Sequence, residues 1–263
     1  MTTHQEYSAL PAVNWSSLHL LAASPLLYRW RADHPEAERS QSLIFGAAVH
    51  CVILEPEKFG ARYALFDGTR RGKEWDRWQV ENAGRESLKP DEMARIEACV
   101  NAVQSHRAAS ELLRGGRAEE VVQWTDEATG LACKGRLDYL RPDGVIDLKT
   151  SRDVSPAKFG RDAANFGYLG QLAFYHDGSV ASKVSTGTLP PHIIAVQSDA
   201  PYDVAVYYLD DAALDIGRSM YRTLLRKLIE CEAASYWPGV CPEPMPLLLP
   251  KWAEQTEDES EAF

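Results

Sequence analysis

The chain has 263 residues, 45% of them hydrophobic and 25% charged, which suits a folded globular protein with one sizeable domain and not a wholly disordered chain. A formal net charge of −10 excludes a protein coated in positive potential, so any nucleic-acid contact has to be confined to a local basic groove. The cysteines (Cys51, Cys99, Cys133, Cys231 and Cys241) are odd in number, widely spaced and without a CxxC pair, which argues against a disulfide framework, a zinc ribbon or an iron–sulfur cluster.

Apolar runs such as Leu18 to Ala23 are far too short to span a bilayer. His4, Gln5 and Glu6 stand where a signal peptide would need a basic start and an apolar run, so the expectation is a cytoplasmic protein without a membrane segment. In chain order, Asn14 to Trp30 reads as a helix capped by Asn14 or Ser16 and broken near Pro25. A second helix is expected from about Ser40 to Leu54, ended by Glu55-Pro56. The stretch from Phe66 to Gly84 is polar and is assigned no element. From Pro90 to His106, Met93, Ile96, Val100 and Val103 recur at helical spacing and predict an amphipathic helix.

After Gly115-Gly116 the period changes from helical to alternating. Strands are expected over Val121 to Trp124, Leu131 to Leu140 and Val145 to Lys149, the last two joined by the turn Arg141-Pro142-Asp143-Gly144. Helices follow over Pro156 to Phe166 and Tyr168 to His176, then strands over Ile193 to Gln197 and Val204 to Leu209. A long helix from Asp210 to about Ala234 comes last. The order predicts an α/β fold with a central mixed sheet, an antiparallel meander within it and flanking helices. Residues 1–250 are expected to form a single domain, with a mainly helical part over 1–115 and a core over 116–238. Residues 251–263 make an acidic, flexible tail.

The meander carries the chemistry. Asp138 lies near the end of one strand and Asp147 within the next, so antiparallel pairing can set them side by side. Asp147 and Lys149 are two apart and face the same way. In Val145-Ile146-Asp147-Leu148-Lys149 the apolar neighbours imply a buried strand, where charges are costly unless paired or bound to a metal. Hard oxygen ligands, including the Leu148 carbonyl, favour Mg²⁺, with Mn²⁺ as the alternative.

Gly135-Arg136-Leu137-Asp138, a turn, and Val145-Ile146-Asp147-Leu148-Lys149-Thr150 resemble the PD-(D/E)xK nuclease signature. More closely, the chain resembles the exodeoxyribonuclease VIII (RecE-like) group of the RecB-type nucleases. The likeness includes Thr129 to Lys134, Ser42 to His50 and Leu54-Glu55-Pro56, and runs from about Leu18 to Pro238. Leu137 stands where that family often has Pro, a residue that is not a ligand. The resemblance implies that Asp138, Asp147 and the Leu148 carbonyl bind metal, that Lys149 is the catalytic lysine, and that His50 of a Gly-x-x-x-His element completes the metal shell. Gly46, four residues earlier, would allow that helix to approach closely. Glu119 or Glu120 corresponds to an upstream acid; alternation lets only one face the site, and Glu119 is preferred. Gln171 and Tyr175 match a Gln-x-x-x-Tyr element that contacts DNA phosphate or orients Lys149.

Arg70, Arg71, Lys73 and Arg77, interleaved with Trp75 and Trp78, offer cations for phosphates and rings for frayed bases, set against the alternative that the tryptophans pack on the core. Arg29, Arg31 and Lys158 are weaker candidates for the same groove. The resemblance further implies a ring-shaped homo-oligomer acting on double-stranded DNA ends. It would degrade one strand 5′ to 3′ and leave 3′ overhangs for a single-strand annealing protein. Two other readings compete: an endonuclease or single-strand nuclease of the same superfamily, and a non-catalytic DNA-binding protein with a nuclease-like fold.

Overall fold

A computed structural model describes residues 4–34 and 40–249; the predicted acidic tail lies outside the described residues. The N-terminal part holds α1 (His4–Ala9), α2 (Trp15–Leu18), α3 (Leu20–Ala23), α4 (Pro25–Asp33), α5 (Gln41–Leu54) and α6 (Phe59–Arg62). It continues through β1 (Tyr63–Leu65), α7 (Lys73–Glu81), β2 (Glu86–Leu88), α8 (Pro90–Ser105) and α9 (Arg107–Leu112). The rest comprises β3 (Arg117–Thr125), β4 (Ala132–Leu140), β5 (Val145–Ser151), α10 (Pro156–Asn165), α11 (Tyr168–Ala181), β6 (His192–Gln197), β7 (Val204–Tyr208) and α12 (Asp211–Ala234).

The structure differs from the sequence expectation in two places. The helix expected from Asn14 breaks at Pro25 as expected, where Ser24 is extended (φ −167°, ψ 149°) and caps α4 by accepting from the Leu27 N–H, but it also divides at His19 into α2 and α3. The polar stretch from Phe66, to which the sequence assigns no element, folds into α7, and β1 and β2 on either side of it pair in parallel. Trp75 and Trp78, three apart on one helix face, stack at 5.1 Å and cover Phe66.

The main sheet has the order β3-β4-β5-β6-β7 and is mixed: β5 and β6 run parallel, the other neighbours antiparallel. The parallel connection is carried by α10 and α11, as a crossover requires. Each face of the sheet has its own core. Leu137, Val145 and Ile193 pack with Trp15, Phe174 and Leu225 from α2, α11 and α12. Ile146, Leu148 and Ile194 pack with Val49, Ile96 and Val103 from α5 and α8. The alternation along β5 thus sends Ile146 and Leu148 to the α5 side and Val145, Asp147 and Lys149 to the α11 side. Among the described residues no helix is long and apolar enough to cross a membrane.

One irregularity positions the site. β4 and β5 pair only at Tyr139↔Ile146 and Leu140↔Val145. The next step would set Asp138 against Asp147, but the strands part there, and the Asp138 carboxylate takes the place of a ladder partner by accepting from the Leu148 N–H at 2.9 Å. The sheet therefore forks between two of its central strands, and side chains from both faces can meet in the fork.

Candidate active site

Four strand residues surround the fork. Glu119 of β3 sits in register with Asp138 of β4, but the two form no ladder pair although Ala118↔Tyr139 and Glu120↔Leu137 on either side do. The Glu119 backbone is left-handed (φ 51°), a strained state for a residue with a Cβ. Its carboxylate meets the Arg136 guanidinium at 2.9 Å, whereas Glu120 pairs with Arg117 elsewhere. The structure thus sets Glu119, not Glu120, at the fork. From β5, Asp147 is almost wholly buried (2% of its side chain exposed), and Lys149 Nζ approaches its Oδ2 at 2.6 Å. From α5, His50 reaches across, with Nδ1 3.6 Å from Asp138 Oδ2. Gly46 makes that reach possible, since a Cβ there would stand 3.0 Å from Thr150 Oγ1 on β5.

The electrostatics are those of an incomplete cluster. Asp147 Oδ1 is buried without any hydrogen-bond donor, and Oδ2 has only the Lys149 ammonium beside it. Burial, and then the neighbouring Asp138, push the Asp147 carboxyl up to about 6 against the pull of Lys149. Glu119 is pushed to about 7 by burial and by Asp138. Burial also raises Asp138. His50 falls to about 4, through burial and the charge of Lys149, so its imidazole is neutral at pH 7. Burial disfavours the Lys149 ammonium, but Asp147 and Asp138 outweigh it and hold the charge. His50, Glu119 and Asp138 each offer a ligand atom within 4.8 Å of the others. A neutral imidazole, crowded carboxylates and the orphaned Asp147 Oδ1 fit a divalent cation with oxygen and nitrogen ligands.

On the face that Asp147 and Lys149 share, across the sheet from α5, α11 supplies Tyr175, Gln171 and Tyr168. The Tyr175 ring lies against Gly135 of β4, and Gln171 hydrogen-bonds the Tyr175 phenol, which burial keeps firmly protonated. Lys149 Nζ stands 4.9 Å from the centroid of the Tyr168 ring. Sequence reasoning passed over Tyr168, and also Arg136, although Arg136 stands two residues before Asp138 on the same strand. It passed over Tyr7 of α1 as well, whose ring lies 5.9 Å from the Arg136 guanidinium and which nothing local in the sequence marks.

The basic stretch does not join this group as a free patch. Arg70 is held inside the protein by Ser87, Gln41 and Glu92. Trp75 packs on Trp78 and Phe66, and Trp78 Nε1–H donates to the Leu65 carbonyl. Arg71 and Lys73 are exposed. Arg29 pairs with Asp33 and Lys158 with Asp153, while Arg31 lies over the Trp30 ring.

Comparison with known proteins bears on this arrangement. Residues 16–244 match the profile of a family described as a PDDEXK-like domain of unknown function (DUF3799). No curated protein matches the sequence. Among solved structures, one titled "Putative exonuclease" from Eubacterium rectale superposes with a TM-score of 0.66 at 16% identity, covering 100% of this chain and 98% of its own. At that identity the likeness shows the fold. SSO0001 is 16% identical, with 76% of this chain and 84% of its own covered. LHK-Exo in complex with dAMP is 14% identical, with 72% and 92% covered. At a TM-score of 0.27 neither carries an argument about this chain.

Proposed function

We propose that this chain, which belongs to the family of PDDEXK-like domains of unknown function (DUF3799), uses the fork between β4 and β5 to hydrolyse DNA phosphodiesters. The observation that carries the reading is Asp147: a nearly inaccessible carboxylate with one orphaned oxygen, close to Asp138, which itself gathers with Glu119 and the neutral His50. A purely structural site would leave such a group unsatisfied at a cost of about 1–3 kcal/mol.

In this reading Asp138, Asp147, Glu119, His50 and the Leu148 carbonyl hold Mg²⁺, or Mn²⁺ in its place. The ion supplies Lewis acidity toward the phosphate and makes water acidic enough to act as a nucleophile near neutral pH. Lys149, kept charged by Asp147 and Asp138, donates to the phosphate or to the attacking water and offsets negative charge as it builds. Gln171 and the protonated Tyr175 phenol donate toward a phosphate oxygen and fix the strand against Lys149. Arg71 before α7, with Lys73 and Arg77 on it, are exposed cations of the basic stretch and serve the incoming DNA.

The finer reading is a Mg²⁺-dependent exonuclease of linear duplex ends, built as one domain over residues 1–250 and located in the cytoplasm. It acts 5′ to 3′ as a ring-shaped oligomer and leaves 3′ overhangs for an annealing partner. Its support is the resemblance to the exodeoxyribonuclease VIII group carried by Gly46 to His50, Asp138, Asp147 to Lys149 and the Gln171/Tyr175 pair.

The test is digestion of linear duplex labelled at either end, beside closed circular DNA, in Mg²⁺ and in Ca²⁺. The expected result is Mg²⁺-dependent loss of the 5′ label first, with circles intact. Cutting of circles would make the protein an internal cutter. Absence of cleavage under all conditions would leave a binding protein with a nuclease-like fold.

A further inference from the structure

We propose that the cleft running outward from Lys149 receives a single DNA strand and that Phe166 is the platform on which an unpaired base stacks. The inference rests on the nuclease reading and adds the form of substrate that this side of the site takes.

The cleft has a volume of about 660 Å³ and is bounded by the first turn of α5, the end of β5 and the turn between α10 and α11. Rings line one wall in sequence from the site outward. Lys149 stands over Tyr168, and the Phe166 ring follows at 5.8 Å, tilted by 30°. Phe166 is 58% exposed, which is unusual for a phenyl beside a polar cleft, while its neighbour Gly167 is buried. Gly167 is left-handed (φ 69°), and a Cβ there would run into Trp15 of α2 and into His19, which joins α2 to α3. The turn is therefore locked from behind, and an outward ring on a locked turn loses little freedom when a base stacks on it. The Leu43 side chain, 63% exposed, presents a second apolar surface to the same cleft.

The charges in the cleft decide between duplex and single strand. Arg95 is paired with Asp199, Glu92 with Arg70 and Lys149 with Asp147. Arg152 is exposed, and no ion pair or side-chain hydrogen bond of its guanidinium appears among the described residues. Gripping a duplex requires many neutralised phosphates, each contributing to the salt dependence. One unpaired cation, the hydroxyls of Thr150 and Ser151 and an exposed ring suit a strand held by stacking and a few phosphate contacts.

The experiment is fluorescence anisotropy of a short labelled oligothymidylate, with Ca²⁺ replacing Mg²⁺, on wild type, Phe166→Ala, Phe166→Tyr and Arg152→Gln. Tyr236→Ala, which removes another exposed aromatic (60%), is the control. Phe166→Ala is expected to weaken binding by roughly 10- to 100-fold, with Phe166→Tyr and Tyr236→Ala close to wild type. Arg152→Gln is expected to reduce the slope of log affinity against log salt by about 0.7. Wild-type affinity in Phe166→Ala, or an equal loss in Tyr236→Ala, would overturn the proposal. A wild type that digests linear duplex yet binds no oligothymidylate would overturn it and leave the nuclease reading standing. A wild type that does neither would remove both.

Discussion

Two clusters of carboxylates and cations flank the sheet, and they are built on opposite terms. On α11 and α12, Asp177 accepts from Arg218, from the Tyr221 hydroxyl and from His176. Burial opposes its charge, but those donors outweigh the penalty and hold the carboxyl well below the usual range. In the fork, Asp147, Glu119 and Asp138 are all raised, and Asp147 has Lys149 at one oxygen and no donor at the other. The first cluster is complete without a ligand and ties two helices together. The second becomes complete only with an added positive charge. Burial alone does not separate the two; the count of satisfied oxygens does.

The largest expected effect falls on activity. Lys149→Ala should lower the rate of DNA cleavage by about 10³-fold or more while moving the melting temperature little, since Asp147 simply takes up a proton when the lysine is gone. Single-turnover cleavage beside a thermal melt checks both halves. Asp177→Ala should do the reverse: a loss of about 2–3 kcal/mol in urea denaturation, less than a fully buried pair because its side chain is 21% exposed, with cleavage by the folded fraction retained.

Much of this contrast was open to sequence reasoning, and the reasons for the rest are physical. The five strands and their mixed order follow from alternation, the Arg141 to Gly144 turn and the helix between the parallel strands. Asp138, Asp147 and Lys149 could be gathered by strand periodicity alone. The fork could not: regular pairing would set Asp138 beside Asp147, whereas Asp138 takes the Leu148 N–H and opens the sheet. The tertiary partners of the basic stretch are not legible in the sequence because they are distant in the chain. Arg70 is held by Glu92 and Gln41, which no local pattern indicates, and a tryptophan pair three apart reads equally as a base platform or a helix face. His50 was found by resemblance, since a lone helix histidine carries no signal of its own.

A smaller effect sharpens the electrostatic side. A carboxyl whose pKa is raised on folding, as Glu119 is to about 7, favours the folded state fully below its unfolded pKa near 4.5, and that contribution is lost as pH rises through 7. In EDTA, Glu119→Gln should therefore gain on wild type by about 1–2 kcal/mol between pH 5 and pH 8. Melts of both proteins across that range would read the divergence, and parallel curves would count against the raised carboxyl. For Asp177 the sign is opposite: its contribution is present above the unfolded pKa near 4 and lost on acidification below it.

The smallest effect concerns the approach of α5. In Gly46→Ala the new methyl would press on Thr150 Oγ1 and displace His50, with an expected three- to tenfold loss of cleavage, about 1 kcal/mol. Adding Thr150→Ala should restore most of it, and failure to do so would show that the helix is not held at that contact.

The contrast between the clusters is tested most directly by Mn²⁺ titration followed through the EPR signal of the free ion. Saturable binding is expected in wild type, displaced by excess Mg²⁺, lost in Asp138→Ala and intact in Asp177→Ala. A free-ion signal unaffected by wild-type protein, or binding that survives Asp138→Ala, would contradict the assignment of the fork as a metal site.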